Sequence, residues 1–164
     1  MKKVGVIMGS ASDLPVIKKA TDTLAELGIP FEVHVYSAHR TPEKVANFSE
    51  SAKDNGFGVI IAAAGMAAHL AGAIAAKTTL PVIGIPCKSA NIGGVDALFS
   101  TVQMPSGIPV ATVAIDGGVN AALLAAEILA LSDEELSLKL TKKRADGENK
   151  VLKSDAEISA EFNK

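Results

Sequence analysis

A histidine and an arginine stand side by side in the run Ser37-Ala38-His39-Arg40-Thr41-Pro42. An imidazole can give and take a proton near neutral pH, and a guanidinium can bind two phosphate oxygens at once. Residues 31–36 are rich in β-branched and aromatic types, which predicts a strand, and Thr41-Pro42 is typical of a helix start. An ordinary exposed histidine beside a surface ion pair would show the same residue types. The expected place of the run, at the carboxyl end of a strand where α/β sheets bind ligands, favours a functional pair.

A second polar run, Gly9-Ser10-Ala11-Ser12-Asp13, follows a short apolar strand predicted over residues 3–8. Backbone N–H groups at a helix start, together with two hydroxyls, could cradle a phosphate, and Asp13 could then hold ribose hydroxyls. The run matches neither of the common glycine-rich nucleotide-binding patterns. A plain capped turn, with Ser12 or Asp13 as the N-cap, explains the same residues, and both interpretations stand at this point.

Small residues fill positions 62–72, where His69 is the one side chain with a functional group. Close packing of a helix on the sheet is one interpretation, and a structural histidine is the commoner outcome in such a segment. The other interpretation is a tight, dry pocket for a small anion or gas. The Asp, Glu and His residues do not recur at metal-ligand spacing, and the single Cys87 excludes an internal disulfide and a multi-cysteine metal site.

Five apolar segments alternate with helical patterns along the chain, which predicts an α/β protein with a parallel, doubly wound sheet. A capping pattern at Ser132 and Glu135 predicts a last helix that ends near Arg144. We therefore expect one domain over residues 1–144 and a polar tail or short helix over residues 145–164. The predicted strands cover residues 3–8, 31–36, 57–62, 81–86 and 110–115, and the main helices follow them.

The composition excludes several classes of partner. The formal charge of −2 and a pI near 5.9, without a Lys/Arg stripe, argue against nucleic acid. No apolar run reaches the roughly 20 residues that span a bilayer, and the N-terminal apolar run is too short for a signal peptide. We therefore expect a cytoplasmic protein. The 48% hydrophobic content favours a sheet covered on both faces and helix surface buried between subunits.

Together these runs resemble the PurE family, and within it the class I N5-carboxyaminoimidazole ribonucleotide mutases of de novo purine synthesis. The combination of S-A-H-R-T-P with an upstream G-S-x-S-D is highly specific. The resemblance extends from residue 4 to about residue 131 and leaves out the polar tail. The matching segments are residues 8–13, 37–42, 67–70, 75–78, 102–105, 107–110 and 120–126.

The resemblance implies a flavodoxin-like three-layer αβα sandwich with a five-stranded parallel sheet and C-terminal helices. It also implies a homo-octamer whose sites are completed by neighbouring subunits, a small ribonucleotide substrate, and no ATP, biotin or metal cofactor. His39 would be the general acid/base. Ser10, Asp13 and Arg40 would hold the phosphate and ribose, with Ser12, Ser37 and Ala38 nearby, and Ala64, Gly65, His69 and Leu70 would line the aminoimidazole and carboxylate end.

Several positions depart from the family pattern without removing these polar groups. Met66 stands where a second glycine is common, Ala71 where proline is common, and Cys87-Lys88 where an apolar residue and glutamine are usual. Direct carboxylation of aminoimidazole ribonucleotide, the class II reaction, is the nearest alternative, although the A-A-H-L and Q-M-P-S-G-I-P segments favour class I. A non-catalytic nucleotide-binding or sensory module is a further alternative. A flavin carrier is less favoured because the loops lack aromatic side chains to enclose the flavin ring.

Overall fold

The computed structural model describes residues 1–90 and 92–163 of the chain. Strands and helices alternate along it, and a short 3-10 turn, Ala11–Asp13, precedes the first helix. None of the helices within these residues is long and apolar enough to cross a membrane. The elements are β1 (Lys3–Met8), α1 (Leu14–Leu27), β2 (Phe31–Val35), α2 (Pro42–Ser51), β3 (Phe57–Gly65), α3 (Leu70–Ala75), β4 (Val82–Cys87), α4 (Val95–Val102), β5 (Ala111–Thr112), α5 (Gly118–Ala130) and α6 (Glu134–Phe162).

All five strands form one parallel sheet in the order β2-β1-β3-β4-β5. Alternate side chains of a strand point to opposite faces, and in β1, β3 and β4 both faces are buried. In β1, Val4 and Val6 pack into the cluster that also contains residues of α1, α5 and α6, whereas Ile7 packs with residues of α2 and α3. The predicted flavodoxin-like, doubly wound α/β fold is confirmed.

Two strand boundaries differ from those predicted. β3 continues to Gly65 instead of ending at residue 62, because its pairing with β4 extends as far as Gly65 opposite Cys87. β5 is limited to Ala111–Thr112 instead of residues 110–115, and it pairs with β4 alone at the edge of the sheet. The longer β3 brings the small-residue segment to the end of the sheet before α3 begins at Leu70.

The last helix also differs from its prediction. Asp133, not Ser132, is its N-cap, and one carboxylate oxygen accepts the N–H of Leu136 at 3.0 Å. The predicted end near Arg144 is wrong, because α6 continues unbroken to Phe162 through residues that lack proline. Ion pairs of Lys143 with Glu26 at 2.7 Å and of Arg144 with Glu127 tie the first half of the helix to α1 and α5.

The contact between α1 and α5 depends on a glycine. A Cβ at Gly118, the first residue of α5, would overlap the carbonyl oxygen of Val16 and come within 3.3 Å of the Ala20 nitrogen. Ala121 and Ala122 behind it are fully buried. Small residues therefore let the two helices approach closely over the same face of the sheet.

We expect Gly118→Ala to lower the free energy of unfolding by about 1–3 kcal/mol, because the added methyl group forces α1 and α5 apart. Gly147→Ala is the matched control: a Cβ at Gly147, inside α6, meets nothing within 4 Å. That variant should gain about 0.5–1 kcal/mol through helix propensity. Thermal unfolding at one fixed protomer concentration measures both changes. Equal effects of the two substitutions would contradict the close contact of α1 and α5.

Candidate active site

A cavity of about 530 Å³ lies at the carboxyl ends of β1 to β4, within the range of small-molecule sites. Four loops form its wall, one after each of these strands. Every residue that the sequence analysis named for the site lines it. These are Ser10, Ser12, Asp13, Ser37, Ala38, His39, Arg40, Ala64, Gly65, His69 and Leu70.

Arg40 joins two of the four loops. Its Nη2 donates a hydrogen bond to the carbonyl oxygen of Gly9 at 3.1 Å, across 31 positions of sequence. Its backbone N–H and its Nε both donate to Oγ of Ser37, at 3.2 and 3.4 Å. A guanidinium carries five N–H groups, so others stay available for an anionic ligand. The side chain is therefore held in place while it can still bind.

The loop that presents His39 is closed by Thr41. Oγ1 of Thr41 accepts the N–H of Ser37 at 2.8 Å and donates to the carbonyl oxygen of Ser37 at 3.2 Å. Thr41 is the N-cap of α2 and Pro42 its first residue, as predicted, but the hydroxyl does not bond to a helix N–H. It stabilises the loop, and His39 and Arg40 are exposed at the loop's turn.

The run after β1 is a capped 3-10 turn, so the capped-turn interpretation describes its structure. Ser10, not Ser12, caps the 3-10 turn: Oγ of Ser10 accepts the N–H of Ser12 at 3.3 Å, and Oδ2 of Asp13 accepts the N–H of Ser10 at 3.2 Å. Asp13 precedes α1 as its N-cap residue but makes no side-chain capping bond there. The Ser12 hydroxyl donates to Oγ of Ser10 at 2.9 Å, so both hydroxyls stand together at the cavity.

Two histidines meet in this cavity. The ring centroids of His39 and His69 are 5.4 Å apart, with an angle of 51° between the ring planes. Each ring comes from a different loop, and both residues are exposed. Met66 lies between β3 and His69 with a φ of 53°, the left-handed conformation that glycine adopts without strain. This position is the one where the family pattern commonly has glycine.

Burial sets the protonation of two neighbouring groups. It raises the pKa of Asp13 above its usual range, against the lowering effect of the Ser10 N–H bond. Burial also raises the pKa of the Cys87 thiol to about 12, and the carboxylates of Asp13 and Asp116 act in the same direction. Cys87, only 3% exposed, therefore stays a protonated thiol at neutral pH and is unsuited to act as a nucleophile.

Sequence reasoning missed the contribution of the loop after β4. Lys88 and Ser89 line the cavity, together with Gly9, Met66 and Ala67. In the sequence, Cys87-Lys88 stands out only as a departure from the family pattern. The signal was available, because β4 ends at the same edge of the sheet as the other three strands.

The residues that the structure describes contain no group of three or more His, Cys, Asp or Glu side chains placed to hold a metal ion. Apart from the carboxylate of Asp13, the polar groups of the cavity are hydroxyls, backbone N–H groups, two imidazoles, a guanidinium and an ammonium. Such groups bind phosphate and carboxylate oxygens. Fold and cavity together define a doubly wound α/β protein whose cavity groups suit a small anionic molecule.

Comparison with known proteins defines the family more closely. Residues 3–150 match the model of the family described as AIR carboxylase, and the chain belongs to that family. A Pyrococcus horikoshii protein named N5-carboxyaminoimidazole ribonucleotide mutase is 55% identical, with 90% of this chain and 84% of that protein covered. A Bacillus subtilis protein of the same name is 52% identical over 94% of this chain and 97% of its own. The crystal structure of Treponema denticola PurE superposes with a TM-score of 0.87 at 30% identity, covering 94% and 96% of the two chains.

The raised pKa of Asp13 predicts how the free energy of unfolding depends on pH. The unfolded chain ionises this carboxyl at lower pH than the folded chain, so the group lowers the free energy of unfolding as pH rises between its two pKa values. Asp13→Asn keeps an oxygen for the Ser10 N–H and removes the charge. We therefore expect the variant to be more stable than wild type near pH 7, with a gain that shrinks towards acid pH.

The measurement is the midpoint of thermal unfolding between about pH 4 and pH 8 at one protomer concentration. Asp22→Asn is the matched control, because its side chain lies on α1, is 63% exposed and pairs with Lys18. That substitution should change stability little, as exposed ion pairs contribute little. A gain for Asp13→Asn that does not vary with pH would contradict the assigned cause.

Proposed function

We propose that this protein is a cytoplasmic N5-carboxyaminoimidazole ribonucleotide mutase. It would move the carboxylate from the exocyclic N5 to C4 of the aminoimidazole, giving 4-carboxyaminoimidazole ribonucleotide in purine biosynthesis. The observation that carries the proposal is that His39, Arg40 and the Ser10–Asp13 turn all line one cavity of suitable size. The family membership and the mutase names of relatives that share half or more of the sequence support it.

The polar groups suit the two ends of a ribonucleotide. The guanidinium of Arg40 and the paired hydroxyls of Ser10 and Ser12 would bind the phosphate. Asp13 would accept hydrogen bonds from the ribose hydroxyls. Because Asp13 is half-buried, those hydrogen bonds would be stronger than the same bonds in water. The base would then lie towards Ala64, Gly65 and His69, where small residues leave room for a flat ring.

His39 would carry both proton transfers. As an imidazolium it donates a proton to the exocyclic nitrogen while the N5–carboxylate bond breaks, which leaves free CO₂ and aminoimidazole ribonucleotide. The ring carbon C4 then attacks the CO₂, and the neutral imidazole removes the C4 proton to restore aromaticity. One proton leaves the histidine and one returns, so the net reaction is an isomerisation. Histidine is the side chain best suited to act as both general acid and general base in one reaction.

Retention of CO₂ is the demanding part of this route. CO₂ that escapes after the decarboxylation cannot react with C4, so the cavity must hold it beside that carbon. The Ala64-Gly65 segment and the buried Leu70 form an apolar patch of the cavity wall where CO₂ could be held away from water. His69, whose ring centroid lies 5.4 Å from that of His39, would contact the carboxylate. The route needs no ATP, biotin or metal.

The second candidate is direct carboxylation of aminoimidazole ribonucleotide by CO₂. The description of the matching family, AIR carboxylase, favours it, and the same cavity and histidine would serve. The two reactions differ in the product that the enzyme releases in the reverse direction, from 4-carboxyaminoimidazole ribonucleotide. A mutase releases the N5-carbamate isomer, and a carboxylase releases free aminoimidazole ribonucleotide and CO₂.

We expect wild-type protein, given 4-carboxyaminoimidazole ribonucleotide without ATP, metal or bicarbonate, to release the N5-carbamate isomer first. Rapid chemical quenching and separation of the two products at early times measures this, because the carbamate decomposes on standing. Free aminoimidazole ribonucleotide as the first product would establish the carboxylase instead. Absence of any conversion would favour the non-catalytic binding module.

We further propose a homo-octamer with sites completed by neighbouring subunits. Three large apolar side chains on one face of α4 support burial between copies: Val95, Phe99 and Val102 are 44%, 59% and 47% exposed. The second half of α6 likewise exposes Val151, Ile158 and Phe162. These side chains fall on the helix face that begins with the buried Leu136, so the apolar face continues beyond the subunit's own core.

We expect Phe99→Glu to reduce the mass measured by light scattering from eight chains to fewer, because a charge would be buried at the interface. Turnover should fall in parallel, since the sites need neighbouring subunits. Ser51→Glu, which adds the same charge at an exposed position of α2, should leave mass and turnover unchanged. A wild-type protein that runs as an active monomer would overturn the shared-site proposal.

A further inference from the structure

Lys88 is a cationic side chain in the cavity to which neither the fold nor the proposed chemistry has assigned a role. It follows the last residue of β4 and lines the cavity beside Ser89. Within residues 1–90 and 92–163, its ammonium forms no ion pair, unlike that of Lys77, which pairs with Glu50 at 3.0 Å. The ammonium is therefore free to meet a ligand.

The backbone that carries Lys88 is fixed from two sides. Its N–H donates to Oδ1 of Asp116 at 2.9 Å, and the N–H of Asp116 donates to the carbonyl oxygen of Pro86 at 2.9 Å. On the other side Gly94 packs so closely that a Cβ there would lie 3.1 Å from Cα of Lys88. The side chain consequently starts from a defined point at the rim of the cavity, while its long stem keeps some reach.

The charge of the proposed substrate exceeds what Arg40 alone can match. The substrate and product each carry a phosphate and a carboxylate, and the guanidinium is already bonded to Gly9 and Ser37. The cavity also contains the carboxylate of Asp13, which repels anions. A second cation in the same cavity would offset that repulsion and attract a second anionic group.

We propose that Lys88 is a substrate-binding residue that donates to an anionic oxygen of the ribonucleotide. This inference rests on the proposed function and adds a contact at a position where the family pattern commonly has glutamine. The oxygen belongs either to the phosphate or to the carboxylate, which present the same chemistry to an ammonium. Ligands that carry the phosphate alone, compared with a ligand that carries both the phosphate and the carboxylate, distinguish these two contacts.

The test measures dissociation constants by calorimetry for 4-carboxyaminoimidazole ribonucleotide, aminoimidazole ribonucleotide and ribose 5-phosphate. Lys88→Gln removes the charge and keeps a polar side chain of similar reach. We expect it to weaken binding of the carboxylated ribonucleotide by about five- to tenfold and to reduce the salt dependence of binding. Lys88→Arg should retain most of the affinity. Lys142→Gln, on an exposed part of α6, is the matched control and should change nothing.

The ligand series identifies the contact. Equal weakening for all three ligands assigns Lys88 to the phosphate, and weakening for the carboxylated ligand alone assigns it to the carboxylate. Unchanged binding of every ligand by Lys88→Gln, in a protein whose wild type binds them, overturns the inference and leaves the proposed function intact. A wild type that binds none of the three overturns the proposed function and, with it, the role of Lys88.

Discussion

The parallel register of β1 to β4 is the constraint on which the site depends. Met8 of β1 stands opposite Val35 of β2 and Ala63 of β3, and Gly65 of β3 stands opposite Cys87 of β4. Four loops therefore leave the sheet at one edge and face the same cavity. A shift of one residue between β1 and β3 or between β3 and β4 would turn their buried side chains to the wrong face, so the core itself maintains the position of these loops.

The stability of this framework allows the site to contain unfavourable features. Asp13 is half-buried with a raised pKa, and Met66 and Asp116 both have the left-handed backbone that most side chains avoid. Asp13 and Met66 line the cavity and Asp116 accepts the N–H of Lys88 beside it, whereas β1, β3 and β4 beneath are almost entirely buried. The stability of the core thus compensates for the half-buried carboxyl and the strained backbone at positions where side chains must bind a ligand.

Sequence patterns predicted the fold class and the loops of the site because both depend on local signals. Apolar periodicity marks the strands, and His39 with Arg40 stands between a clear strand end and a clear helix start. The length of α6 was not predictable, since polar residues after Arg144 fit a helix and a tail equally well. Residue patterns alone do not place His69 beside His39, because this contact depends on how two loops approach each other in space; only the family resemblance put both histidines in one site.

The central claim is that one histidine, His39, carries the proton transfers in a cavity shared by all the predicted residues. The most direct test follows the ultraviolet absorbance of 4-carboxyaminoimidazole ribonucleotide with wild type and with His39→Asn, while calorimetry measures how tightly each protein binds the ribonucleotide. The account predicts that the variant binds the ribonucleotide about as well as wild type and converts it at least about 100-fold more slowly. Equal conversion by the two proteins would contradict it.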